Sequence, residues 1–202
     1  MSKLVLIVLP DFYADWEIGF LAPMFHSNAD GQARSMWEAK TVSLNKGPIR
    51  SMGGFKVTPD LSLEEVPEEF DALIMIGGQT WRRPESQAFI ELVERAKKLG
   101  KPVAAICDAA NFLGWNGFLD QVSHTGNAGG GMIVPEIGRY QGEKNFDKKA
   151  RVKVDQGFIT ADGASPLEFS EAVLRELKVL PDEEIDGWVE SYRVGEKAYW
   201  GV

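Results

Sequence analysis

Three runs of the chain are apolar almost without a break: Lys3–Leu9 (KLVLIVL), Asp71–Ile76 (DALIMI) and Pro102–Ile106 (PVAAI). Runs this short, with no alternating polar face, suit strands buried on both sides of a parallel sheet. Trp37–Leu44 reads as a further strand. In Pro84–Leu99 the apolar residues Phe89, Ile90, Leu92, Val93 and Ala96 recur at helical spacing, and Lys97, Lys98 and Gly100 suit a helix C-terminus. Pro166–Leu177 predicts a second amphipathic helix, with Ser165 as its cap and Pro166 at its first position. Asp15 is expected to cap a helix carrying Trp16, Phe20 and Met24 on its apolar side, kinked or ended by Pro23. A last helix is expected from Asp182 to Tyr192. Arg50–Pro59 predicts a hairpin turning at Gly53-Gly54, and Arg151–Val154 with Phe158–Ala161 a second one closed by Asp155-Gln156-Gly157. Ser62–Phe70 is a short acidic connection, and Val122–Asn127 (VSHTGN) is expected to be a short strand. Gly129–Gly131 followed by Pro135 argues against a long helix after it. Strands alternating with helices predict an α/β protein with a mostly parallel central sheet.

The sole cysteine, Cys107, lies where the PVAAI strand meets a helix expected over Asp108–Leu113 and stopped by Gly114. Ala105 and Ala109 flank it at minus two and plus two. An abrupt strand-to-helix turn crowds those flanking side chains, so small residues are required; this is the spacing of a nucleophile elbow, with alanines where hydrolases usually have glycines. The turn raises the sulfur above the sheet at a helix N-terminus, which favours a thiolate and predicts a pKa below the free value of about 8.5. Without that context a free cysteine is most simply a small buried hydrophobe.

Composition narrows the setting. The 202 residues are 44% apolar, enough for one well-packed domain spanning the chain, and no repeat or linker divides it. A net charge of −8 argues against nucleic-acid binding. One cysteine cannot form an internal disulfide, which fits a cytoplasmic protein. Leu4–Leu9 is too short to span a membrane, and no small-residue cleavage site follows it.

Parallel sheets bind ligands beyond the carboxyl ends of their strands. Glu17 follows the first strand, Gly77-Gly78-Gln79 follows DALIMI, and Cys107 follows PVAAI; neighbouring strands would bring the three together. A thiolate adding to a carbonyl needs oxyanion donors. The backbone N–H groups of Asp108 and of Gly77 or Gly78 are the candidates. Glu17 could simply complement its helix dipole. If buried beside the cysteine, it could instead stay protonated and donate to the sulfur. His124 is the candidate general base, with Asp108 orienting it or a water; His26, well down the first helix, is a structural residue. The chemistry requires neither a metal nor a cofactor.

Taken together, DWEIGFLAP with its Glu17, DALIMIGG, the elbow AAICDAANFLG, HTGN and FITADGASPLEFSEAVL resemble the ThiJ/PfpI superfamily, which includes the Parkinson disease protein 7 family and the class I glutamine amidotransferase-like fold. The resemblance implies a flavodoxin-like three-layer sandwich, a reactive cysteine paired with a glutamic acid, and usually a homodimer. Members are assigned as proteases or amidases, glyoxalases or deglycases, isonitrile hydratases, chaperones and oxidative-stress sensors. The protease-like branch carries histidine directly after the cysteine, whereas this chain has Asp108. Two functions are therefore expected: a cysteine-dependent enzyme acting on a small carbonyl or amide compound, or a non-catalytic stress sensor or chaperone whose cysteine oxidises to a sulfinate.

Overall fold

In the computed structural model, which describes residues 2–26, 31–32, 35–127 and 140–201, the buried strands sit side by side as the apolar runs require. The chain runs β1 (Lys3–Val8), α1 (Asp15–Ile18), β2 (Trp37–Ser43), the short strands β3 (Ile49–Arg50), β4 (Lys56–Val57) and β5 (Leu61–Ser62), then β6 (Ala72–Met75) and α2 (Phe89–Lys98). It continues through β7 (Val103–Ile106), α3 (Asp108–Trp115), β8 (Val152–Asp155), β9 (Phe158–Ala161), α4 (Pro166–Leu177), α5 (Asp182–Val194) and α6 (Glu196–Trp200).

Seven strands form one sheet in the order β5-β2-β1-β6-β7-β9-β8; every pairing in it is parallel except β8 with β9. The core order β2-β1-β6-β7-β9 is the flavodoxin-like arrangement, whose ligand crevice opens where the winding reverses, beside β1 and β6. Along β1, Val5 and Ile7 point to one core and Leu6 and Val8 to the other, because successive strand side chains face opposite ways. The first core is covered by α4 and α5, the second by α2 and α3. The expected three-layer α/β sandwich with a mostly parallel sheet is the observed fold. Among the described residues no helix is long and apolar enough to cross a membrane.

Several boundaries differ from expectation, each for a local reason. The first helix covers only Asp15–Ile18 before Gly19, and Ala22–Phe25 forms a separate 3-10 turn that starts beside Pro23. Asp15 is its first residue rather than its cap; Oδ2 instead accepts the Gly53 N–H at 2.7 Å and ties α1 to the β3–β4 hairpin. Gly114 does not stop α3, which runs on to Trp115; Gly117, at φ 80°, takes the left-handed position. Pro84–Ala88 is a 3-10 turn leading into α2. Ser165 precedes α4 as expected, but its hydroxyl donates to Asp162 Oδ1 (2.9 Å) rather than to the helix. Val122–Asn127 is not a strand: His124 makes one isolated bridge with Phe146. The glycines at 129–131 and Pro135 lie outside the described residues. The second hairpin is as expected, with Gln156 and Gly157 both at positive φ, the two-residue turn that matches strand twist.

Candidate active site

The site is assembled from the ends of β1, β6, β7 and β9. After β1 the chain folds back tightly through Phe12, at φ 55°. The Tyr13 region pairs with Gly78, through Ala14 N–H to Gly77 O (2.9 Å) and Gln79 N–H to Phe12 O (3.1 Å). A Cβ on Gly78 would lie 2.8 Å from Phe12 O and 3.0 Å from Tyr13 Cα, so a bare backbone is required there for the loops to meet. This contact sets α1 over the β6–β7 edge and delivers Glu17.

Glu17 is fully buried. Its Oε2 accepts the Gly77 N–H at 2.7 Å, while Oε1 is buried with no hydrogen-bond partner among the described residues. Burial, reinforced by the Asp108 charge, raises the Glu17 pKa to about 7, against the opposing contacts with Cys107 and Gly77. The Gly77 N–H, expected to serve an oxyanion, is therefore already engaged by the carboxyl. The Gly78 N–H has no acceptor among the described residues and remains open.

Cys107 stands at the corner with φ 62° and ψ −132°, a strained conformation for a residue with a side chain. Its N–H is held by Ala161 O (3.0 Å) and its carbonyl by Asn111 N–H (3.2 Å), so β9 and α3 impose the strain. Two glycines make room for the sulfur. A Cβ on Gly77 would lie 2.5 Å from both Cys107 Cβ and Glu17 Oε2, and one on Gly163 would lie 2.8 Å from Sγ. Asn127 Nδ2 donates to Sγ at 3.2 Å, and its Oδ1 accepts the Gly163 N–H at 3.0 Å. Burial first, and then the negative charge of ionised Glu17, push the thiol up to about 12, outweighing Asn127 and the Asp108 N–H. The helix N-terminus alone led to the opposite expectation. Desolvation and the neighbouring carboxyl are stronger here, so Glu17 must be neutral for the sulfur to carry charge readily.

Gly77→Ala is expected to destabilise the protein by about 1–3 kcal/mol, the usual range for overpacking, because the Cys107 side chain and the Glu17 carboxyl crowd the new methyl. Urea denaturation of variant and wild type checks this; equal midpoints would show that the glycine is dispensable.

Asp108 accepts from Asn111 Nδ2 (2.9 Å) and more distantly from Asn127 Nδ2 (3.5 Å), with Arg82 Nε 3.9 Å from its other oxygen. It thus helps hold the amide that touches the sulfur. His124 is placed elsewhere. Its Nδ1 lies 2.6 Å from Val122 O and its Nε2 2.8 Å from Tyr140 Oη. A carbonyl cannot donate, so Nδ1 carries the proton and Tyr140 donates to Nε2. Burial lowers its pKa, and Phe146 and Tyr140 pack against the ring. With both nitrogens occupied, the expected general base is instead a brace that ties Val122 to Tyr140 and Phe146. His124→Ala is expected to cost about 1–3 kcal/mol through the unpaired carbonyl and hydroxyl. Any turnover should fall less than about threefold, whereas loss of a general base removes about 10²-fold or more. Urea melts and kinetics on the folded variant separate the two.

The residues missed from sequence were Asn127 and Gly163. Both lie in segments already singled out, HTGN and FITADGASP, but an amide and a turn glycine carry no chemical signature until the fold brings them to the sulfur.

A strained cysteine at an elbow, flanked by a buried carboxyl on a flavodoxin-like sheet, defines a class of cysteine-centred α/β proteins. Residues 3–176 match the DJ-1/PfpI family, and the chain belongs to it. It is 33% identical over 195 residues to "Uncharacterized protease YdeA" of Bacillus subtilis, covering 96% of this chain and 93% of that one. It is 43% identical over 81 residues to "Deglycase PfpI" of Pyrococcus furiosus, covering 38% and 47% of the two chains. Among solved structures, the DJ-1 superfamily protein Atu0886 of Agrobacterium tumefaciens superposes with a TM-score of 0.81 at 32% identity, over 95% of this chain and 99% of that one.

Proposed function

We propose that this protein is a cysteine-dependent enzyme acting on small carbonyl or amide compounds, of the deglycase or glyoxalase type. One observation carries the reading: the Cys107 sulfur is held in a strained elbow against a carboxyl whose pKa is raised to about 7. The deglycase relatives support the same chemistry.

With methylglyoxal as substrate, the Cys107 thiol gives its proton to water as the sulfur adds to the aldehyde carbon and the C=O π pair moves to oxygen. The Gly78 and Asp108 N–H groups stabilise that oxygen, and neutral Glu17 supplies its proton. The resulting Glu17 carboxylate takes the hydrogen of the sulfur-bearing carbon as a proton and returns it at the neighbouring carbon, while the hydroxyl proton on the first oxygen passes through water to the second, leaving a thioester. Water cleaves the thioester to lactate and restores the thiol. The net change is addition of one water, with no external oxidant or reductant.

A sensor reading is favoured by one feature: Asn127 Nδ2 and a neutral Glu17 would also donate to a sulfinate on Cys107. Turnover assays with methylglyoxal, glycated amines, amides and peptides test the enzyme reading. Absence of turnover across that panel, together with peroxide-dependent sulfinate formation, would replace it with the sensor.

A further inference from the structure

The loop after β6 holds a cation beside Asp108, the residue after the cysteine, more firmly than a surface position needs. Trp81 is fully buried, and its Nε1 donates to Ile76 O at 2.9 Å. Thr80 Oγ1 donates to Asp11 O (2.7 Å), Ser86 Oγ to Thr80 O (2.8 Å) and Arg83 N–H to Thr80 O (3.0 Å). Arg82 therefore projects from a backbone clamped on both sides. Its guanidinium carbon lies 5.2 Å from the centroid of the buried Trp115 ring, and Nε lies 3.9 Å from Asp108 Oδ2. The ring and the carboxylate locate the head group, yet at that distance neither forms a hydrogen bond with it. Asp108 takes its hydrogen bonds from Asn111 and Asn127 instead. The Arg82 side chain is 54% exposed, so its planar fork of N–H donors remains available for a bidentate acceptor.

Across the site, Trp16 is 48% exposed and donates from Nε1 to Gly163 O at 3.4 Å, with the Gly163 backbone against the sulfur. Trp16 thus reaches the glycine that packs on the sulfur, and Arg82 the carboxylate of Asp108, in a chain whose net charge is −8. We infer that Arg82 reads an anionic group on the substrate, so that the compound attacked by Cys107 is a small 2-oxoaldehyde that also bears a carboxylate. The inference rests on Cys107 acting as a nucleophile toward carbonyl compounds, but its principal test needs no turnover.

That test compares the rates at which Cys107 is alkylated by iodoacetate and by iodoacetamide, which differ chiefly in charge, at low ionic strength. In Arg82→Gln the iodoacetate-to-iodoacetamide ratio is expected to fall roughly fivefold, the size of effect one nearby charge exerts in a partly solvated site. Arg82→Lys should retain most of the ratio. Arg83→Gln, which makes the same change in net charge at a neighbouring residue paired with Glu85 at 4.0 Å, should leave it unaltered. Added salt should shrink the difference between wild type and Arg82→Gln. An unchanged ratio in Arg82→Gln, or an equal fall in Arg83→Gln, overturns the assignment. Where turnover is present, wild-type kcat/KM for dioxovalerate, a 2-oxoaldehyde with a carboxylate at its far end, should exceed that for methylglyoxal, and the preference should diminish in Arg82→Gln. A wild-type preference for methylglyoxal would overturn the substrate class. Failure of the enzyme reading would appear separately, as no turnover of either compound.

Discussion

Cys107→Ser should abolish turnover of methylglyoxal, with a loss of at least about 10³-fold, because an unactivated hydroxyl is a poor nucleophile. The site offers a serine no help. Asn127 can only donate to the side chain at 107 through Nδ2, Glu17 is neutral up to about pH 7, and both ring nitrogens of His124 are occupied. Even with burial raising its pKa, a thiol loses its proton far more readily than a hydroxyl, because sulfur spreads charge and Asn127 Nδ2 donates to it; an alkoxide at the same position is out of reach. Serine is close enough in size to sit between Gly77 and Gly163, so the variant should fold, and its urea midpoint should lie near that of the wild type. Turnover that survives Cys107→Ser would reject the mechanism. A wild type that turns nothing over, but whose stability or partner binding changes with peroxide only while Cys107 is present, would establish the sensor.

Glu17→Gln should make the protein more stable relative to wild type as the pH rises. The Glu17 pKa is about 7 in the fold against an ordinary value of 4.5. A group whose pKa is raised by folding favours the folded state fully below its unfolded value, and that contribution is lost as pH rises through the folded value. The window is therefore about pH 4.5 to 7. Across it the wild type should lose about 3 kcal/mol relative to the glutamine variant, at ~1.4 kcal/mol for each tenfold change in proton affinity. Paired urea titrations at pH 5 and pH 8 measure most of this difference. A difference between the two proteins that does not change with pH would mean that Glu17 is ionised throughout. The same variant reports on the sulfur. Glutamine removes the charge that opposes the thiolate and keeps an N–H donor, so the midpoint of Cys107 alkylation against pH should fall. A rise would show that the acid proton, rather than the absence of charge, is what stabilises the thiolate.

Much of this site was legible because its parts are encoded by near neighbours. Ala105 and Ala109 around Cys107 announce an elbow, since the crowding they relieve arises within a few residues of the turn. The unbroken runs of β1, β6 and β7 announce parallel strands, because both of their faces are covered. Glu17 and Gly77 could be placed at strand ends by counting residues, and register then brought them together: Val5–Val8 pair with Ala72–Met75, and Leu73–Met75 with Val103–Ala105.

What the chain's order did not reveal depends on contacts between distant residues. Whether His124 or Asn127 faces the sulfur depends on how the 122–127 segment is tied to Asn145 and Asp147 by backbone bonds, and no local pattern encodes that tie. Gly77 was read as an oxyanion donor, but its N–H belongs to Glu17, sixty residues earlier. The direction of the cysteine's pKa shift followed the same rule. A helix N-terminus is visible in sequence, whereas burial and a carboxyl brought in from α1 are properties of the assembled fold, and in a dehydrated pocket they outweigh the dipole. The sequence alone determined the sheet, the elbow and the cysteine at its corner, because these follow from periodicity and local sterics. Only the tertiary structure decided which donors reach the sulfur and what charge it bears, because those depend on packing between segments far apart in the chain.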